Sequence, residues 1–226
     1  MLGLPHGNTT RQKHASSGFR SWIPRPPAGA ARLAPRCQAV QARAAFARHP
    51  RARLIGIACL SPSVGLSEPS RFVIVEDQAR CAAIHTCFEA CNQEALRRQE
   101  PDRASLYARM KLSGLDDAPC QVAVFADRTT AQDHGLGRLT LPETLYYSVA
   151  IAIHTLWLAA RAEGIGVGWV SILDPARVAE ILERPKDWTF IGHLCLGYPE
   201  EEADLPALQR QGWEQRHPSA SVVIYR

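Results

Sequence analysis

No stretch of the sequence is apolar for long enough to cross a membrane. A membrane-spanning helix needs roughly 20 predominantly apolar residues. The most apolar segment, residues 148–160, is shorter and is followed closely by Arg161 and Glu163. We therefore expect no membrane segment and no membrane partner.

Acidic residues are absent from the first 67 positions, which contain ten Lys and Arg. The remainder contains 16 basic and 22 acidic side chains, so the body of the protein is acidic although the whole chain carries a net charge of +4. A nucleic-acid-binding core would carry a basic face of its own. We therefore expect no nucleic-acid partner.

The seven cysteines form neither a C-x-x-C motif nor a paired framework. An odd number of scattered cysteines is typical of reduced thiols in a cytoplasmic protein. Cys87 and Cys91 are four residues apart on a predicted helix, but two ligands do not make a zinc site. We expect no metal, and buried cysteines that act as small apolar side chains.

The most informative stretch runs from Ser148 to Leu173. Its first half is apolar on nearly every helical turn, which predicts a helix buried on all sides and ending at Gly164. The following GIGVGWVSI predicts a strand, whose Gly166 and Gly168 would let a flat ligand lie against the backbone, with the Ser171 hydroxyl at its end. The alternative is a helix cap and a tight turn. The spacing also differs from a dinucleotide fingerprint.

Further strands are predicted at 71–76, 120–126 and 190–197, with helices between them. Asp77 and Asp174 precede two of these helices as candidate N-caps. Long helices among few strands predict an α+β layered fold. Residues 1–53 differ in composition from the body at 54–226, whose Pro- and charge-rich arm from about residue 199 would embrace a partner subunit.

Several motifs resemble the BluB family, the 5,6-dimethylbenzimidazole synthases of the nitroreductase superfamily. They are SPSVG at 61–65, YARMKLSGLDDAP at 107–119, LGR at 136–138, TLWLAARAEGIGVGWVSILDP at 155–175, LCLGYPEEE at 194–202 and GWEQR at 212–216. The resemblance covers about residues 54–217 and implies a nitroreductase-like α+β fold with a central mixed or antiparallel sheet flanked by helices. It also implies a homodimer with FMN at the subunit interface.

The resemblance implies a reaction in which reduced FMN is the substrate and O₂ fragments it to release 5,6-dimethylbenzimidazole, the lower ligand of cobalamin. A flavin reductase would supply the reduced FMN, so NAD(P)H would enter only indirectly. The implied catalytic residue is Ser171. The implied flavin-binding residues are Ser63, Gly65, Lys111, Leu112, Gly168, Trp169, Val170, Ser171, Gly212 and Arg216. Arg216 would reach the phosphate through a bidentate contact. The alternatives are a solvated arm residue for Arg216 and a hydroxyl satisfied by backbone for Ser171.

One family motif is missing. An RRDVR-type segment, whose arginines hold the flavin phosphate and whose aspartate is important for flavin fragmentation, should precede SPSVG by 25–30 residues. Residues 33–38, LAPRCQ, can be encoded by bases that read WRRDVR one nucleotide later. We therefore favour a pair of compensating frameshifts over a disordered or targeting segment for residues 1–53. A chain that exists as written should bind FMN weakly and turn over poorly.

The alternative functions are a general FMN-dependent NAD(P)H nitroreductase or dehydrogenase, and an inactive flavin-binding relic.

Overall fold

A computed structural model describes residues 48–110, 114–199, 205–217 and 222–224. Its elements are α1 (Arg48–Cys59), a 3₁₀ turn (Val64–Leu66), β1 (Ser70–Val75), α2 (Gln78–Arg97), α3 (Pro101–Arg109), β2 (Cys120–Asp127), α4 (Thr144–Ala162), β3 (Gly166–Val170), α5 (Pro175–Ile181), β4 (Trp188–Gly197) and α6 (Ala207–Arg210). Residues 1–47, which include the LAPRCQ segment of the proposed frameshift, lie outside the described residues, and so do Lys111 and Leu112. The predicted boundary at residue 53 falls within α1.

The four strands form one antiparallel sheet in the order β1-β2-β4-β3. Phe72 on β1 pairs with Val124 on β2, and Gly168 on β3 pairs with Cys195 on β4. The prediction of an α+β fold is confirmed. Of the mixed and antiparallel sheets that were expected, the structure has the antiparallel one. β1 and β3 are its opposite edges.

Helices cover both faces of the sheet. On one face, α1 and α4 pack against residues such as Val122, Val124 and Leu194. On the other, α2 and α5 pack against Phe125 and Val170. β2 lies between the two layers and is buried at every position, which explains its nearly continuous apolar sequence.

Capping residues fix the helix boundaries as the sequence predicts. The Asp77 carboxylate accepts a hydrogen bond from the Arg80 N–H at the start of α2. Asp174 caps α5 in the same way, with Pro175 in the first turn. Gly164, at φ +72°, follows the end of α4 in the left-handed conformation.

The prediction that α4 is buried on all sides is wrong for the single chain. Val149 and Leu156 are fully buried, but Ile151 is 44% exposed and Trp157 is 41% exposed. The sheet and α1 cover the inner side of the helix, and no other element among the described residues covers its apolar outer side. None of the helices formed by the described residues has the length and apolar content that crossing a bilayer requires.

Candidate active site

The SPSVG segment forms a turn that is fixed to the first turns of α4. The Ser148 hydroxyl accepts a hydrogen bond from the Val64 N–H at 3.0 Å and donates one to the Thr144 carbonyl at 2.7 Å. The Ser63 hydroxyl accepts from the Glu68 N–H at 3.1 Å. Two of the predicted flavin-binding residues, Ser63 and Gly65, therefore lie in a well-held turn immediately before β1.

Gly65 makes a close approach to the loop at residues 130–138. Its φ is +55°, and a Cβ placed there would lie 2.6 Å from the Asp133 Cβ and 2.9 Å from the Leu136 carbonyl oxygen. Only glycine fits this position, because any side chain would overlap the loop. Packing against the loop therefore explains why residue 65 is a glycine.

The glycine-containing strand predicted after α4 is β3, at an edge of the sheet. Gly168 and Trp169 are exposed, Val170 is buried, and Ser171 is exposed directly after the strand. Trp169 lies over Gly192 of β4, where a Cβ would overlap the indole ring. A Cβ on Gly168 would lie on the opposite face of the sheet, beside Cys195. The outer edge of β3 pairs with none of the described strands, and the exposed Ser171 hydroxyl follows directly after it.

The GWEQR motif packs on α3 through its tryptophan. Trp213 makes an edge-to-face contact with Tyr107 at 6.1 Å between ring centroids, and the Arg103 guanidinium lies 5.2 Å from the Trp213 ring centre. Gly212 turns the chain at φ +79°, and Arg216 is exposed. The arm is therefore held on the helix that leads towards Lys111.

The predicted site residues fall into separate groups in one chain. Ser63 and Gly65 adjoin β1, whereas residues 168–171 belong to β3 at the other edge. Three strand spacings separate these edges, about 14 Å. Gly212 and Arg216 flank Trp213, which packs on α3. A single chain does not gather these residues around one point.

A buried polar pair that the sequence analysis missed lies within the sheet. His193 on β4 has no exposed surface, and its Nε2 lies 3.0 Å from the Gln121 Oε1. The Gln121 side-chain amide donates to the Leu115 carbonyl at 2.8 Å. Burial lowers the pKa of His193 to about 4, so the ring is neutral at ordinary pH. The only sequence signal was a histidine within an apolar strand.

Cys87, Cys120 and Cys195 are buried and pack in the core, whereas Cys59 is exposed. Burial raises the pKa of Cys120 to about 11 and that of Cys195 to about 12. A thiol held protonated is a poor nucleophile and a poor metal ligand. Among the described residues, no three His, Cys, Asp or Glu side chains are placed to hold a metal ion.

Comparison with known proteins identifies the relationship. Residues 44–198 match the model of the Nitroreductase family. This chain belongs to the nitroreductase family. Within that family it is 54% identical over 171 residues to a Rhodospirillum rubrum protein named 5,6-dimethylbenzimidazole synthase, across 76% of this chain and 81% of the relative. A Rhodobacter capsulatus protein of the same name is 46% identical over 167 residues, across 74% and 81%. The resemblance drawn from the motifs is confirmed.

Solved structures support the nitroreductase fold. A BluB-like flavoprotein from Clostridium difficile 630 has a TM-score of 0.59 at 18% identity, across 80% of this chain and 90% of that one. Iodotyrosine deiodinase bound to FMN and 3-iodo-L-tyrosine has a TM-score of 0.55 at 18% identity, across 86% and 90%. At these identities the likeness concerns the fold alone.

Proposed function

We propose that this protein is a 5,6-dimethylbenzimidazole synthase that converts reduced FMN with O₂ as the oxidant. The observation that carries the proposal is the 54% identity to the R. rubrum protein of that name over 171 residues. A match of that length within 226 residues includes residues 56–171 wherever it begins. It therefore includes the SPSVG turn, β3 and Ser171, which contribute most of the predicted flavin-binding residues.

The residue types at these positions fit reduced FMN. No described strand pairs with the outer edge of β3, so its backbone N–H and C=O groups are available to a ligand. Gly168 and Trp169 lie at that edge and are exposed. The polar edges of a flavin ring can bond such groups, and the Ser171 hydroxyl lies next to them. Arg216 is an exposed cation suited to a phosphate. FMN supplies the ring that is fragmented, while the protein orients it and excludes water.

We also propose that the working form is a homodimer whose two copies complete each site. Tyr147, Ile151 and Leu158 form an exposed apolar stripe on α4, and Trp157 stacks with His154 beside it. Exposed apolar patches of this kind are typical of interfaces. Two copies would bring the β1 side of one chain beside the β3 edge of the other, so that groups separated by about 14 Å in one chain line one site.

The dimer is tested by Ile151→Glu in analytical ultracentrifugation. We expect the variant to sediment as a monomer and to lose FMN binding, because a charge in the stripe opposes burial. Ile74→Glu, which changes an exposed apolar residue outside the stripe, is the matched control and should remain dimeric. A monomeric wild type that binds FMN normally would contradict the proposal.

The reaction is tested by mixing the protein with anaerobically reduced FMN and then admitting air. We expect 5,6-dimethylbenzimidazole, identified by mass spectrometry, and its loss in Ser171→Ala with FMN binding retained. Steady NADPH consumption with a nitroaromatic compound and no loss of flavin would instead identify a general nitroreductase. Failure to bind FMN would identify an inactive relic.

The N-terminal segment bears on the activity of this chain. The match to the family begins at residue 44, and the RRDVR-type motif is missing from the residues before SPSVG. We propose that a frameshift within residues 1–53 replaces the RRDVR-type motif and that FMN affinity is low in the chain as written. Charge-assisted hydrogen bonds contribute roughly 1.5–3 kcal/mol each, so two lost arginines weaken binding by orders of magnitude. Sequencing the DNA for residues 15–55 decides whether a frame encoding RRDVR exists.

We further propose that the protein works in the cytoplasm, where a separate NAD(P)H-dependent flavin reductase supplies reduced FMN. None of the cysteines that the structure describes forms a disulfide, as expected in a reducing compartment. Adding a purified flavin reductase, NADH and FMN in air should replace chemically reduced FMN. Product formation from chemically reduced FMN alone would show that the reductase need not be bound to the synthase.

A further inference from the structure

The loop at residues 130–138 has an unusual backbone. Asp133 and His134 have φ of +84° and +49°, and Gly135 and Gly137 have φ of +82° and +79°. Non-glycine residues rarely adopt this left-handed conformation, and they keep it only where the surrounding contacts impose it. Two of them in succession need a specific set of contacts.

The Asp133 carboxylate supplies those contacts. Its side chain is fully buried, and its Oδ1 accepts hydrogen bonds from the Gly135 N–H at 2.6 Å and from the Arg138 guanidinium at 2.9 Å. Arg138 also donates to the Thr130 carbonyl at 3.4 Å. The Asp133 Oδ1 thus joins the Gly135 backbone to the Arg138 side chain and holds the left-handed segment between them.

The same loop packs directly on the SPSVG turn. The Asp133 Cβ fills the space beside Gly65, and a Cβ on Gly137 would lie 2.8 Å from the Val64 Cγ2. The Thr130 hydroxyl donates to the Ser67 carbonyl at 2.6 Å. The shape of the turn is therefore set by the loop, and the loop is set by Asp133.

We propose that Asp133, with Arg138 as its counterion, is a positioning residue that holds Ser63 and Gly65 in the shape that binds the flavin. The inference rests on the proposed function for the identity of the ligand. Asp133 acts through the turn and does not itself contact FMN. The buried ion pair has a structural consequence, because removing the charge from one partner leaves the other uncompensated.

Asp133→Asn tests the inference at nearly constant side-chain size. The Asp133 Oδ2 has no hydrogen-bond partner among the described residues. An amide NH₂ in place of this oxygen therefore breaks no existing hydrogen bond. The main loss is the negative charge opposite Arg138. We expect FMN binding, measured by quenching of flavin fluorescence, to weaken at least tenfold. The visible circular dichroism of bound FMN should change as well, because it reports the surroundings of the ring.

Arg51→Leu is the matched control. It also breaks a guanidinium–carboxylate pair, which joins the largely buried Arg51 to the exposed Glu76 at 2.7 Å, but neither α1 nor Glu76 is part of the turn. It should lower the melting temperature as Asp133→Asn does while leaving FMN affinity within twofold. An unchanged affinity and dichroism spectrum in Asp133→Asn would overturn the inference, and so would equal weakening in Arg51→Leu.

A readout without flavin separates this inference from the proposed function. Trypsin cleaves after Arg138, which lies in the loop, and we expect Asp133→Asn to be cleaved there several times faster than the wild type. The difference should appear even if the wild type binds no FMN or makes no product. Equal cleavage rates in the two proteins would overturn the inference on its own.

Discussion

Acidification is expected to destabilise the folded protein through His193. Burial lowers the pKa of this histidine from 6.5 to about 4, so between these values the unfolded chain binds a proton that the folded chain does not. The stability due to neutral His193 is fully present above pH 6.5 and is lost as the pH falls towards 4. Protonation would also place a second N–H on Nδ1, which has no partner among the described residues.

The size of the effect follows from the shift in pKa. A difference of one pKa unit corresponds to about 1.4 kcal/mol, so the full effect is about 3 kcal/mol. Between pH 7.5 and pH 5.0 about 2 kcal/mol of the free energy of unfolding should be lost. His193→Gln removes the titration while keeping a donor that can reach the Gln121 Oε1.

Urea unfolding of both proteins from pH 7.5 to pH 5.0, at one protein concentration, measures the effect. We expect the wild type to lose about 2 kcal/mol more than His193→Gln, because all other titrating groups are common to both. Equal losses would refute the assignment of a buried neutral histidine. If the variant does not fold, an NMR titration of the His193 ring protons in the wild type gives the same answer, and a pKa near 6.5 would contradict the reasoning.

Two further predictions concern packing. Gly65→Ala should lower the free energy of unfolding by about 1–3 kcal/mol more than Gly164→Ala, since both have positive φ but only Gly65 faces a close neighbour, Asp133. Denaturant melts of the two variants measure this, and equal losses would contradict it. Trp213→Ala should release the arm from Tyr107 at a cost of about 1–2 kcal/mol and speed tryptic cleavage of the arm. Trp213→Phe is the control that retains an aromatic ring, and unchanged cleavage in Trp213→Ala would show that the contact does not hold the arm.

Local signals in the sequence predicted the helix boundaries because their physics is local. Asp77 and Asp174 cap helices through side chains that reach only two or three residues along the chain. The GIGVGWVSI pattern predicted the strand β3 for the same reason, because its β-branched residues favour an extended backbone. The position of Ser171 directly after that strand followed from its place in the sequence.

Contacts between distant segments could not be predicted in this way. The exposed side of α4 depends on which faces the sheet and α1 cover, and an apolar sequence alone does not distinguish burial within one chain from burial between chains. The left-handed conformation of Asp133 depends on Arg138 and on packing against Gly65, 68 residues earlier. The bond between His193 and Gln121 likewise joins strands whose pairing was unknown.

Gly168 is a glycine of the predicted site for which the described residues offer no packing reason. At Gly65 and Gly192 a Cβ would overlap neighbouring atoms, whereas at Gly168 it would make only ordinary contacts of 3.9 Å with Cys195, and its φ is not positive. If FMN lies against this backbone, Gly168→Ala should weaken FMN binding at least tenfold. The free energy of unfolding should stay unchanged or rise slightly, because glycine weakens a strand. Flavin titration and denaturant melts measure the two quantities, and ultracentrifugation shows whether dimerisation is affected instead. An alanine variant with normal FMN affinity and normal assembly would show that neither a ligand nor a second chain requires glycine there.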